Sequence, residues 1–170
     1  EMAELVHKEL RKHGVKIVLG QRIEGFRPPA NATESSRDMP KSCWVLAGDH
    51  EPIPADLVIL GLGVRPEVTL AREAGLTIGE CGGIRVDEHL ETSSPNIWAV
   101  GDAIEVRNPI SETWTLIALG GPANRQGRIA ADNIFGAERV YDGTLGTAIL
   151  RVFELTVGCV GLNELQLRSS

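Results

Sequence analysis

A chain of 170 residues and 18.3 kDa is long enough to bury a real hydrophobic core. Hydrophobic residues make up 42% and charged residues 24%, which excludes a disordered chain. The formal net charge of −6 argues against nucleic acid or an anionic membrane as the main partner, and no apolar run approaches the roughly 18–20 residues of a membrane helix.

The first stretch, EMAELVHKELRKHG, is charged and helical in spacing, which is not the pattern of a secretory signal. Met2, Leu5, Val6 and Leu10 share one face of a helix over residues 2–13, and Gly14 is placed as its left-handed cap. VKIVLGQRI (15–23) then reads as a strand. Residues 27–42, RPPANATESSRDMPKS, are polar and rich in Pro and Ser without periodicity, as in a long loop between strands. CWVLAG (43–48) and ADLVILGLG (55–63) read as strands flanking the turn GDHEP. The second is a continuous apolar run of the kind buried on both faces. A short helix over about 67–74 is capped by Gly75, and short extended pieces follow, LTIG and GIRVDE among them. NIWAV (96–100) reads as a buried strand. PANRQGRIAADNIFG has Pro122 at the start of a helix and Gly136 at its end. The last segment, TAILRVFELTVGCVG (147–161), is β-rich. Glu1 opens directly on a helix and the final residues stop soon after a strand begins, so a piece of a longer polypeptide is expected.

Three segments could hold chemistry. In ILGLGVRPE the glycines Gly61 and Gly63 end an apolar run and precede a helix, so backbone could approach a phosphate closely. The third glycine of G-x-G-x-x-G is absent, with Pro66 in its place, and a plain tight turn explains the pair as well. In ETSSPNIWAVGD the strand runs into Gly101 and Asp102. A carboxylate at the carboxyl end of a strand stands where open α/β sheets bind ligands, and it suits sugar or ribityl hydroxyls. Read from the residues alone, Asp102 is either that acceptor or the cap of the next turn. In LGGPANRQGRIAADN a Gly120-Gly121 pair precedes a helix whose amides and dipole favour negative charge, with no acid in its first turn. The plainer reading is a glycine turn before an amphipathic helix with a solvated Asn124-Arg125-Gln126 face.

Cys43, Cys81 and Cys159 show no C-x-x-C spacing, so neither a zinc site nor a disulfide framework is indicated, and a reducing, cytoplasmic setting follows. Each reads as a structural or incidental thiol. The histidines His7, His13, His50 and His89 are scattered and read as solvated side chains.

Together, ADLVILGLGVRPE (55–67), ETSSPNIWAVGDA (91–103) and GPANRQGRIAADNI (121–134) resemble the pyridine nucleotide-disulfide oxidoreductase family of flavoproteins, most of all its coenzyme A-disulfide reductase and NADH oxidase branch. The resemblance implies an α/β fold made of pieces of FAD- and NAD(P)-binding, Rossmann-like three-layer domains with a β-meander. Residues 1–60 would be the second half of an NAD(P)-binding domain and 61–140 the C-terminal part of an FAD-binding domain. Residues 145–170, with VGLNE resembling a family start, would open a truncated dimerisation domain. Asp102 would accept a hydrogen bond from an FAD ribityl hydroxyl, with Gly101 giving clearance. The helix starting at Pro122 would aim its N-terminus at the flavin pyrimidine edge beside Leu119, Gly120, Gly121 and Ala123, favouring negative charge there. Gly120 stands where the branch usually carries Ala. Gly61 and Gly63 would lie near bound NAD(P)H.

The resemblance thus implies part of an FAD-dependent NAD(P)H oxidoreductase reducing a disulfide, polysulfide, peroxide or oxygen, dimeric when intact. The FAD fingerprint, the redox cysteine and the NAD(P) glycine motif would precede Glu1, so no catalytic residue and no metal ligand is assigned here. Two other readings stay open: an inert α/β piece that binds no FAD alone, and a ferredoxin reductase-like electron-transfer flavoprotein.

Overall fold

Helical spacing at the N-terminus becomes helix α1 (Met2–Lys12), with Glu4 in its first turn and Arg11 and Lys12 in its last, each complementing the helix dipole. Gly14 follows at φ 79°, and the bonds Gly14 N–H to Arg11 O and Val15 N–H to Leu10 O, each 3.0 Å, close the end as a Schellman motif. The computed structural model describes residues 2–28 and 43–169, and the chain divides into two units, residues 1–62 and 63–170.

The first unit continues with an antiparallel sheet of β1 (Ile23–Arg27), β2 (Cys43–Ala47) and β3 (Ile53–Ala55), in that order. The expected GDHEP turn joins β2 to β3. Most of the polar stretch 27–42 lies outside the described residues. Two expected strands, 15–23 and 55–63, join a ladder at one end residue each, Ile23 in β1 and Ala55 in β3. Residues 15–22 have no ladder partner among the described residues, and Val18 and Leu19 are exposed. In 55–63 only Ala55 belongs to a strand, while Leu57, Ile59, Leu60 and Leu62 are exposed, Ile59 by 85%. An apolar run states what a segment would bury, but a strand also needs a neighbour for its N–H and C=O groups.

In the second unit, α2 (Thr69–Glu73) is shorter than expected, and Gly75, at φ 75°, ends it. β4 (Ile84–Arg85), β5 (Ile104–Arg107) and β6 (Trp114–Thr115) form one sheet in which β4 and β5 run parallel and β5 and β6 antiparallel, so the meander is mixed at its first pair. The register places Ile84 opposite Ile104, and both are buried with Val86, Val106, Leu90, Val68, Ala71 and Tyr141. Helix α3 (Gly120–Ile134) closes this core with Ala130. The C-terminal segment is the hairpin β7 (Ala148–Val152) and β8 (Leu155–Cys159), followed by α4 (Glu164–Ser169), which the sequence reading did not anticipate.

β5 carries a fully buried acid. Glu105 Oε1 accepts the Gly83 N–H at 3.2 Å, and Oε2 lies 3.1 Å from the Arg85 guanidinium without completing an aligned hydrogen bond. Arg85 in turn stacks on the Trp114 ring, 3.7 Å from its centroid.

Candidate ligand site

The ETSSPNIWAVGD stretch folds on itself before it reaches the carboxylate. Thr92 N–H donates to Ile97 O at 2.8 Å, Ala99 N–H to Leu90 O at 3.1 Å, and Glu91 bridges Trp98. Asn96 takes φ 66° in the turn, where Glu91 Oε1 accepts its N–H at 2.8 Å. The expected buried strand 96–100 is therefore one arm of a tight hairpin, held by an isolated bridge. Ile97 and Val100 are partly exposed, at 40% and 37%.

Beyond it, Gly101–Ala103 forms a single 3-10 turn leading directly into β5. Gly101 takes φ 76°, a conformation that favours glycine. Asp102 is exposed, and among the described residues its carboxylate makes no hydrogen bond and no ion pair. The capping role left open above is thus not the one it plays.

Helix α3 packs on this turn. It begins at Gly120, two residues earlier than expected, with Leu119 as an extended N-cap whose side chain caps nothing. Gly120 and Gly121 therefore belong to the first turn, and both are exposed. Pro122 is tolerated there because the first turn has no use for its missing N–H. With no acid in that turn, its positive dipole end is unneutralised by side chains. Ala123 is half-buried, and its Cβ lies 3.6 Å from the place a Cβ on Gly101 would occupy.

Gln126 departs most from the sequence reading. Asn124 and Arg125 are exposed as expected, but Gln126 is 2% exposed. Its Oε1 accepts the Gly101 N–H at 2.6 Å, across 25 residues of chain. Its bond depends on how α3 docks on the turn, which no local pattern states. Gln126 also approaches the Tyr141 phenol, whose oxygen is buried without a completed hydrogen bond. Burial pushes the phenol above its ordinary range, against weaker opposing pulls from Gln126 and Arg125.

Of the other candidates, Gly61 and Gly63 are exposed and lie on either side of the division between units, Gly63 at φ 85°. Cys43, Cys81 and Cys159 are free thiols. Cys81 Sγ donates to Trp114 O at 3.2 Å, and burial, then the Glu105 carboxylate, push its thiol pKa up. Among the described residues no group of His, Cys, Asp and Glu could hold a metal ion, and no helix is long and apolar enough to cross a membrane.

The site thus joins a free carboxylate, an acceptor, to uncapped helix amides, which are donors. That donor set fits a ligand with hydroxyls at one end and an electron-rich edge at the other. Residues 1–129 match the pyridine nucleotide-disulphide oxidoreductase family, and the chain belongs to it. It is 36% identical to an NADH oxidase of Methanocaldococcus jannaschii, over 95% of this chain and 34% of that one. Among solved structures, it resembles the reduced CoADR-RHD protein of Bacillus anthracis, with 41% identity and a TM-score of 0.84, over 99% of this chain and 28% of that one. It also resembles an NAD-dependent persulfide reductase from A. fulgidus, with 34% identity and a TM-score of 0.87, over 99% of this chain and 29% of that one. The chain spans about a third of the length of the curated relatives it matches, 34% in the case of the M. jannaschii protein.

Proposed function

We propose that the chain supplies the ribityl and pyrimidine side of the FAD site in an NAD(P)H oxidoreductase that reduces a disulfide, polysulfide, persulfide, peroxide or oxygen. The observation that carries this reading is the packing of the Gly101–Ala103 turn on α3, which groups an unengaged Asp102 carboxylate with the uncapped first turn of a 15-residue helix. Asp102 accepts a hydrogen bond from a ribityl hydroxyl. The Gly120 and Gly121 amides face the pyrimidine edge, beside Leu119 and Ala123, and the helix dipole stabilises negative charge there. FAD held by these residues would supply the hydride-accepting and electron-transferring chemistry, with this chain's part limited to binding and orienting it. Gly61 and Gly63 belong to the NAD(P)H side. Residues 1–60 and 61–140 serve the two cofactors, residues 145–170 contribute to a homodimer contact, and the three free thiols suit the cytoplasm.

The test is Asp102→Ala in the intact protein, with FAD content measured after dilution and dialysis. Loss of a charged acceptor costs about 1.5–3 kcal/mol, so FAD binding weakens about tenfold to a hundredfold. Unchanged FAD content would remove Asp102 from the site.

A further inference from the structure

A long polar side chain in the middle of a helix is buried at a cost unless its polar atoms are bonded. Gln126 is 2% exposed, and the bond it makes is to the first N–H of the Gly101–Ala103 turn, at 2.6 Å. That N–H heads a helical turn and so has no acceptor within it. Ala123 lies three residues before Gln126, on the same face of α3, with its Cβ 3.6 Å from the place a Cβ on Gly101 would occupy. Gly101 therefore faces α3, with its N–H accepted by Gln126 and the space beside its Cα bounded by Ala123.

The consequence falls on the next residue. Glycine is free to take either sign of φ, so the direction of the Asp102 carboxylate depends on what holds the Gly101 peptide at φ 76°. Among the described residues Asp102 has no hydrogen bond of its own to hold it. We infer that Gln126 is the positioning residue of this site: by gripping the Gly101 N–H it presets the Asp102 carboxylate for a ribityl hydroxyl and locks that carboxylate to α3. The two halves of the site, the GD turn and the helix N-terminus, then move as one body. Gln126 touches no ligand; it acts through Asp102. The inference rests on the proposed FAD reading of Asp102.

A double-mutant cycle on FAD affinity separates the possibilities, using apoprotein prepared from the intact protein and titrated with FAD. Gln126→Met keeps the length and apolar bulk of the side chain but removes the acceptor. Alone, it raises the FAD Kd about tenfold. In an Asp102→Ala background it changes the Kd by less than about twofold, because the group it positions is gone. The urea midpoint of each apoprotein is measured alongside. A tenfold loss in both backgrounds would make Gln126 a purely structural residue and overturn the inference, as would no loss in either. If Asp102→Ala alone leaves the Kd unchanged, the FAD reading of Asp102 fails first, and the inference falls with it. Should Gln126→Met not fold, Gln126→Asn, whose shorter amide cannot reach Gly101, takes its place with the same expected pattern.

Discussion

Glu105 shows how single residues shape this chain around one buried charge. Removing a carboxylate from water is costly, and the structure answers with the Arg85 guanidinium, the Gly83 N–H and a close glycine wall. A Cβ on Gly79 would stand 2.0 Å from Glu105 Oε2, and one on Gly83 would stand 2.7 Å from the Glu105 backbone nitrogen. Neither glycine has a positive φ, so space alone requires it. Backbone cannot swing aside as a side chain can. Gly83→Ala is therefore expected to destabilise the protein by about 1–3 kcal/mol through overpacking, read as a lower urea midpoint. An unchanged midpoint would show that β4 and β5 can separate freely. The same scale holds Gln126, buried with its Oε1 satisfied by the Gly101 N–H.

Helix α3 is the element on which the site depends, and its two ends are built differently. The N-terminus is left without a side-chain cap, which suits a ligand end. The C-terminus is closed: Gly136 N–H donates to Asn133 O at 2.9 Å and Ala137 N–H to Asp132 O at 3.1 Å, a Schellman motif with Gly136 at φ 82°. Asn133 Nδ2 adds bonds to His89 O and Arg139 O, tying that end to the loop after Asp87. Two identical substitutions should therefore have opposite signs. Gly136→Ala forces a left-handed alanine and costs about 1–2 kcal/mol. Gly127→Ala, at an exposed helical position where a Cβ meets nothing within 4 Å, stabilises by about 0.5–1 kcal/mol. Thermal melts of both variants check the pair, and equal signs would contradict the assigned helix end.

At the scale of the whole molecule, alkaline pH should loosen the fold. The Tyr141 phenol and the Cys81 thiol both have pKa values raised above their ordinary values of 10.0 and 9.0, chiefly by burial. Above those ordinary values the unfolded chain releases these protons while the folded chain keeps them. Stability is then present at neutral pH and falls as pH climbs past about 9 and on past 10. Urea midpoints followed from neutral into alkaline pH should decline. Tyr141→Phe with Cys81→Ala should flatten that decline, and an equally steep decline in the double variant would assign it to other groups. The Tyr141→Phe change should itself cost little, since the phenol oxygen is buried without a completed hydrogen bond.

The sequence by itself determined what contiguous residues can enforce. Gly14, Gly75 and Gly136 end their helices because a positive φ is cheap only for glycine, and their positions were legible directly. The two segments that meet at the proposed FAD site were legible too, since GD after an apolar stretch and GGPANRQGR before a helix are local patterns. Only the tertiary structure decided their partners. The segments 15–23 and 55–63 read as strands, yet strand formation requires a neighbour that no local pattern supplies. The plainer of two open readings left Gln126 solvated, because 25 residues separate it from the N–H it accepts. Glu105 lies 22 residues from the Gly83 amide that receives it. Torsional preference is a property of a residue and its immediate neighbours. Burial and hydrogen-bond satisfaction belong to whatever the folded chain brings alongside.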